Sequence, residues 1–225
     1  MNDDDDKLII VPNGKSYTDS EIRLLTDFQE MYYESTIIRN DIISSSTNSK
    51  LLSPTIETSR LILRRYKESD IDMQYEILQD KRLQEYVKMP DLTKAEELDC
   101  IRKWIKEADT SKYEKWVIEL KDTNIPIGNI SVNGIDKRNN YCNVGYVIKY
   151  DYWGNWYASE ALNAVSNYLL EHRKYYLVEC SCNELNIASS KVMLKAGFKK
   201  DGYIENRRLN QDGTYSKVEY YSKGI

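Results

Sequence analysis

From Thr55 onward, apolar positions recur with two different periods, and the switches between them mark the elements. Residues 60–66 (RLILRRY) alternate in part and read as a strand. Ser69, with Asp70 and Asp72, opens a helix that carries Ile71, Tyr75 and Leu78 on one face. Thr93 and Glu96 form a capping-box pattern ahead of Leu98, Ile101, Ile105 and Ala108, so a second helix follows. Three strands come next, at 115–120 (KWVIEL), 127–135 (IGNISVNGI) and 142–150 (CNVGYVIKY). The DKRNN loop at 136–140, between the last two, has hairpin chemistry. Ala158, Ala161, Leu162, Val165, Tyr168 and Leu169 then define one helical face. Residues 175–182 are β-rich, and Asn186 caps a short helix that stops at Gly197. Finally, 201–209 and 214–221 flank the hairpin signature NQDG at 210–213. The order β-α-α-β-β-β-α-β-α-β-β predicts a mixed α+β sheet domain without the βαβ repeat of a doubly wound fold.

Residues 1–54 follow a different pattern and are read as an extension to a domain spanning 55–225. DDDDK at 3–7 resembles an enteropeptidase recognition sequence and equally fits a solvated acidic tip. Thr18 and Glu21 make another capping box, with Ile22, Leu25, Phe28, Met31 and Tyr32 at helical spacing behind it. SSSTNSK at 44–50 reads as a flexible linker.

Composition narrows the chemistry. A net charge of −4 and a pI near 5.3 argue against a nucleic-acid partner, which needs a basic footprint. No apolar run reaches the ~18 residues of a membrane span, and MNDDDDKLII lacks the order of a secretory signal. A cytoplasmic location without membrane attachment is therefore expected. The four cysteines, Cys100, Cys142, Cys180 and Cys182, lack paired C-x-x-C spacing, so reduced thiols and no metal are expected. The single histidine, His172, follows the 158–171 helix, where a positive charge suits the C-terminus. A Ser-His-Asp triad or a two-histidine metal site finds no support.

Several spaced features coincide with a known family. VGYVIKYDYWGNWYASEAL (144–162) resembles the acetyl-CoA motif of the GNAT N-acetyltransferases, in the RimJ/RimL-like branch that acetylates ribosomal proteins. NELNIASSKVMLKAGF (183–198) is similar to that branch's N-x-x-S…K-x-G-F segment, and IETSRLILRRYKESDID (56–72) to its opening strand and helix. The resemblance covers roughly 55–222 and implies the GNAT acyltransferase fold, a mixed, mostly antiparallel, splayed sheet flanked by helices. It further implies acetyl-CoA as acyl donor and a primary amine as acceptor. The strand edge at Tyr146, Val147 and Ile148 would pair with the pantetheine arm. The N–H groups of Trp153, Gly154, Asn155, Trp156, Tyr157, Ala158 and Ser159 would meet the diphosphate at the positive end of a helix. Asn186, Ser189 and Lys191 would lie near the sulfur or the nucleotide, with Ser189 as the catalytic hydroxyl that serves the departing thiolate. A homodimer is compatible with the family.

The chain departs from the family pattern at four positions. Asp151 stands where Gln or Arg is usual, and Trp156 where the second Gly or Ala is usual. Both side chains are expected to face away from the anion. Asn143 replaces the glutamate often found before I-G-Y, and Met193 aligns with the tyrosine that many members use as general acid. Glu119 or Glu179, on neighbouring strands, could replace the base through water. An α-amine of pKa about 7.7–8.0 is roughly 10–20% neutral at pH 7, whereas a lysine near 10.4 is below about 0.1%. A weak base therefore favours a protein or peptide α-amine. The alternatives are a small-molecule amine, such as an antibiotic or polyamine, and a catalytically silent acyl-CoA-binding module.

Overall fold

The computed structural model describes residues 9–10, 16–17, 52–87, 89–110, 113–210 and 212–224. Two compact units divide the chain, Met1–Lys50 and Leu51–Ile225. In the first, β1 (Ile9–Ile10) pairs antiparallel with β2 (Ser16–Tyr17), a pairing the sequence pattern does not announce. The helix expected from Thr18 and the linker at 44–50 lie outside the described residues.

The second unit is built on an eight-stranded sheet in the order β3-β4-β5-β6-β7-β8-β10-β9. Its strands are β3 (Ile56–Glu57), β4 (Leu61–Arg64), β5 (Lys115–Leu120), β6 (Pro126–Asp136), β7 (Tyr141–Ile148), β8 (Leu177–Asn183), β9 (Lys199–Leu209) and β10 (Tyr215–Gly224). Every neighbouring pair is antiparallel except β7 and β8. Strand β5 shows why the sheet is central: Trp116, Val117, Ile118, Glu119 and Leu120 are all buried, so both faces must be covered.

One face packs against α4 (Tyr157–Glu171) and α5 (Ile187–Lys195), through Leu162, Val165, Leu169 and Met193. The other lies under α1 (Ile71–Gln79), α2 (Lys81–Gln84) and α3 (Lys94–Glu107), through Met73, Ile77, Leu83 and Ile101. The expected face of α4 is the observed one, and His172 is its C-cap. The hairpin at 136–140 joins β6 to β7, and Gly213 takes φ +82° in the turn before β10.

Two helices sit differently from their sequence reading. Ser69 does not cap α1. Residues Glu68–Asp70 form a 3-10 turn, and the Asp70 carboxylate accepts from the Lys67 N–H at 2.7 Å while Arg64 grips it at 2.8 and 2.9 Å. With that corner fixed by an ion pair, α1 buries Met73, Gln74, Ile77 and Leu78 and leaves Ile71 and Tyr75 half-buried. In α3 the Thr93–Glu96 capping box forms as expected, but Glu97 and Ile101 are buried while Ile105 is 38% exposed. Burial pushes the Glu97 carboxyl above its usual value, against the pull of a Gln74 hydrogen bond and the nearby Lys115 charge. A polar side chain thus occupies a place that periodicity assigns to Leu98.

Candidate active site

The parallel pair β7–β8 matches only Tyr141 with Leu177, Cys142 with Val178 and Asn143 with Glu179. Beyond that point the strands diverge, although β7 stays paired with β6 as far as Ile148. The edge of β7 from Val144 to Ile148 that faces β8 therefore carries no ladder hydrogen bonds, leaving donors and acceptors for an extended ligand. Tyr146, Val147 and Ile148 all lie on this free stretch.

At its end the chain turns into α4. Residues Tyr150–Tyr152 form a 3-10 turn, and the Trp153 indole N–H donates to the Ile148 carbonyl at 2.7 Å. Gly154 adopts φ +78°, and a Cβ there would meet nothing within 4 Å, so its backbone conformation and not its size is what the turn requires. Asn155 donates to the Tyr152 and Trp153 carbonyls at 3.2 and 3.1 Å, and its own carbonyl accepts from Arg60 at 3.0 Å. Trp156 is the N-cap of α4, at φ 64° and ψ 15°, with no side-chain capping bond. The first intrahelical bond runs from the Glu160 N–H to the Trp156 carbonyl, leaving the N–H groups of Tyr157, Ala158 and Ser159 without helical partners. The buried Ser159 hydroxyl also lacks a partner. Helices α3 and α5, by contrast, close their N-termini with Thr93 and Asn186. An uncapped helix start beside a free strand edge fits the diphosphate and pantetheine of an acyl-CoA.

Across the gap, the Asn186 side chain accepts the Ser189 N–H at 3.0 Å. The Ser189 hydroxyl lies 2.8 Å from the Tyr146 hydroxyl, which is also 3.1 Å from the Ser189 carbonyl. Burial drives the Tyr146 phenol well above its ordinary range, so it is a hydrogen-bond donor at every physiological pH. This hydroxyl pair is absent from the sequence reading, which gave Tyr146 only a backbone role. Its parity, shared with Val144 and Ile148, is the signal that points it toward α5. Met193 is fully buried and offers no acid. Lys191 is exposed on α5.

The carboxylates separate clearly. Glu119 accepts from Arg64 Nε at 2.6 Å and is buried, so it belongs to the ion-pair corner that holds α1. Glu179 lies directly beside Asn143, on the same sheet face as the residue that replaces the usual glutamate. Burial, together with the charges of Asp201 and Asp136, pushes its carboxyl up to about 7. All four cysteines are free thiols, and the described residues hold no cluster of His, Cys, Asp or Glu that could bind a metal. No described helix is long and apolar enough to cross a membrane.

A splayed parallel pair, a free strand edge and an uncapped helix start together are the architecture of a GNAT-type acetyltransferase. Residues 60–199 match the acetyltransferase (GNAT) domain family, and the chain belongs to that family. It is 26% identical over 170 residues to the uncharacterized N-acetyltransferase YoaA of Bacillus subtilis, covering 75% of this chain and 96% of that one. Among solved structures, the ribosomal L7/L12 α-N-protein acetyltransferase RimL in complex with coenzyme A superposes with a TM-score of 0.68 at 20% identity, over 76% of this chain and 98% of that one. The microcin C7 self-immunity acetyltransferase MccE, in complex with acetyl-CoA and AMP, has a TM-score of 0.65 at 17% identity, over 75% and 94%. The chain is an N-acetyltransferase of RimJ/RimL-like GNAT architecture.

Proposed function

We propose that the protein transfers acetyl from acetyl-CoA to the α-amine of a protein or peptide, with Glu179 as base and Ser189 at the departing sulfur. The observation that carries this reading is the register of Glu179 with Asn143, with its carboxyl pushed up to about 7. In this role Glu179 takes a proton from the incoming ammonium, directly or through one water, and the neutral nitrogen attacks the thioester carbonyl. Taking a proton from an α-ammonium of pKa about 7.7–8.0 costs Glu179 only about 1 kcal/mol, whereas a lysine near 10.4 costs about 4.6 kcal/mol. The base thus favours α-amines by its own titration point.

On the opposite side of the gap, the Tyr146 hydroxyl hydrogen-bonds the Ser189 hydroxyl, whose own proton can turn toward the sulfur. That arrangement stabilises negative charge on the leaving thiolate without ionising the buried phenol. Donor binding rests on the free edge at 144–148 and the uncapped N–H groups of Tyr157, Ala158 and Ser159. RimL, which acts on an α-amine of a ribosomal protein, shares the fold and supports this acceptor class.

A second reading is favoured by the acidic surroundings of Glu179. Asp136 and Asp201 act on it electrostatically, and such a field also suits small polycationic amines. One assay separates the readings: thiol release from acetyl-CoA with a peptide bearing a free α-amine, its N-blocked lysyl counterpart, spermidine and an aminoglycoside. Preference for the free α-amine is expected. Preference for the lysyl peptide or a small amine overturns the acceptor assignment. Release with none of the four, despite acetyl-CoA binding, favours a silent acyl-CoA-binding module.

A further inference from the structure

Trp156 is the feature that the proposed function leaves unused. It occupies the left-handed region at the N-cap of α4, where a bulky side chain is strained by about 1–2 kcal/mol. Its side chain is 42% exposed and joins neither hydrophobic core cluster. What the ring does meet is the Lys195 ammonium, 3.8 Å from the ring centroid, on the last turn of α5. The contact therefore joins the two helices that border the gap between β7 and β8.

Charge around the anion-binding turn is otherwise spent. Arg60 reaches the same corner, over the Tyr157 ring at 4.6 Å, but is paired with Glu160 at 2.7 Å. Asp151 brings a negative charge to the turn, and Arg82, which feels that charge, is already bound to Asp80. Lys191 and Lys195, one helical turn apart on the exposed side of α5, meet no carboxylate among the described residues. One of these two uncompensated ammonium groups is held in place by the ring.

Resting on the acyl-CoA reading above, we propose that Trp156 is a platform that stations Lys195 at the mouth of the gap to bind a phosphate group of CoA. The pair would offset the negative charge that Asp151 brings to the turn. The left-handed backbone at Trp156 is what sets the ring under Lys195. The phosphate is either the diphosphate or the 3′-phosphate, and the two sources are separable.

Calorimetric titration of the full chain with CoA and with 3′-dephospho-CoA tests the assignment. Lys195→Met is expected to weaken CoA binding about tenfold, and Trp156→Gly by a similar factor even though it relieves the backbone. The double variant is expected to lose no more than either single one, because the ring acts through the lysine. If the Lys195→Met loss vanishes with 3′-dephospho-CoA, the partner is the 3′-phosphate; if it persists, the partner is the diphosphate. Binding by Lys195→Met within twofold of wild type, or losses that multiply in the double variant, overturns the proposal while leaving the acyl-CoA reading intact. Absence of CoA binding by the wild-type chain overturns both.

Discussion

Trp156 and Glu179 carry the two residue-scale predictions. Because Trp156 sits at φ 64°, Trp156→Gly is expected to raise the unfolding free energy by about 1 kcal/mol, measured by denaturant titration. The same substitution weakens CoA binding if the ring stations Lys195, so stability and affinity move in opposite directions. A fall in both would mean that the indole is part of the fold's packing. Glu179 makes a pH-dependent prediction. Its folded pKa, about 7, lies above the ordinary 4.5, so its protonated form is favoured on folding. That contribution is full below about pH 4.5 and is lost as pH rises through about 7. Relative to wild type, Glu179→Gln should gain about 2 kcal/mol between those limits, less than the full shift because the carboxyl keeps contact with water. With an active acceptor, wild-type kcat/KM should rise to a plateau above about pH 7. Glu179→Gln should lose about 100-fold and leave only a limb that follows the amine's own titration, at about pH 8.

At the scale of elements, the site depends on where pairing stops. Strand β7 must hold β6 tightly on one side while releasing β8 on the other, and Gly128 secures the tight side. A Cβ at Gly128 would lie 2.2 Å from the Val147 carbonyl oxygen, which is backbone and cannot swing away. Gly128→Ala is expected to cost about 2 kcal/mol in thermal or chemical unfolding, because it forces β6 from β7. A neutral result would show that the two strands separate without cost. Helix α5 offers a milder test. Asn186→Ala removes the acceptor for the Ser189 N–H and should cost about 1 kcal/mol by the same measurement, while Asn186→Asp should recover most of it. The Thr93 and Asn186 caps were legible in sequence because capping is local. The faces of α1 and α3 were not, since an ion pair at Asp70 and a buried Glu97 override the apolar period.

For the whole molecule, the second unit closes its own core on both faces of one sheet, beginning with contacts from its first described residues. The Ser53 N–H donates to Glu114 at 2.7 Å, and the Pro54 carbonyl accepts from the Trp116 indole at 2.8 Å. A chain starting at Leu51 is therefore expected to unfold in a single cooperative thermal transition and to bind CoA as the full chain does. A broad transition would show that Met1–Lys50 completes the fold.

The sequence by itself determined the alternation of strands and helices, the turns at Gly154, Gly197 and Gly213, the caps at Thr93 and Asn186, and the family. Each of these rests on neighbours within one or two turns of chain, where spacing is enough. Tertiary structure alone decided the rest. The end of β7–β8 pairing at Asn143, the register of Glu179 with Asn143, the Arg64–Glu119 ion pair, the Tyr146–Ser189 hydroxyl pair and the seat of Trp156 under Lys195 all join residues distant along the chain. Burial and charge at those meetings depend on which surfaces the fold brings together, and no local period encodes that.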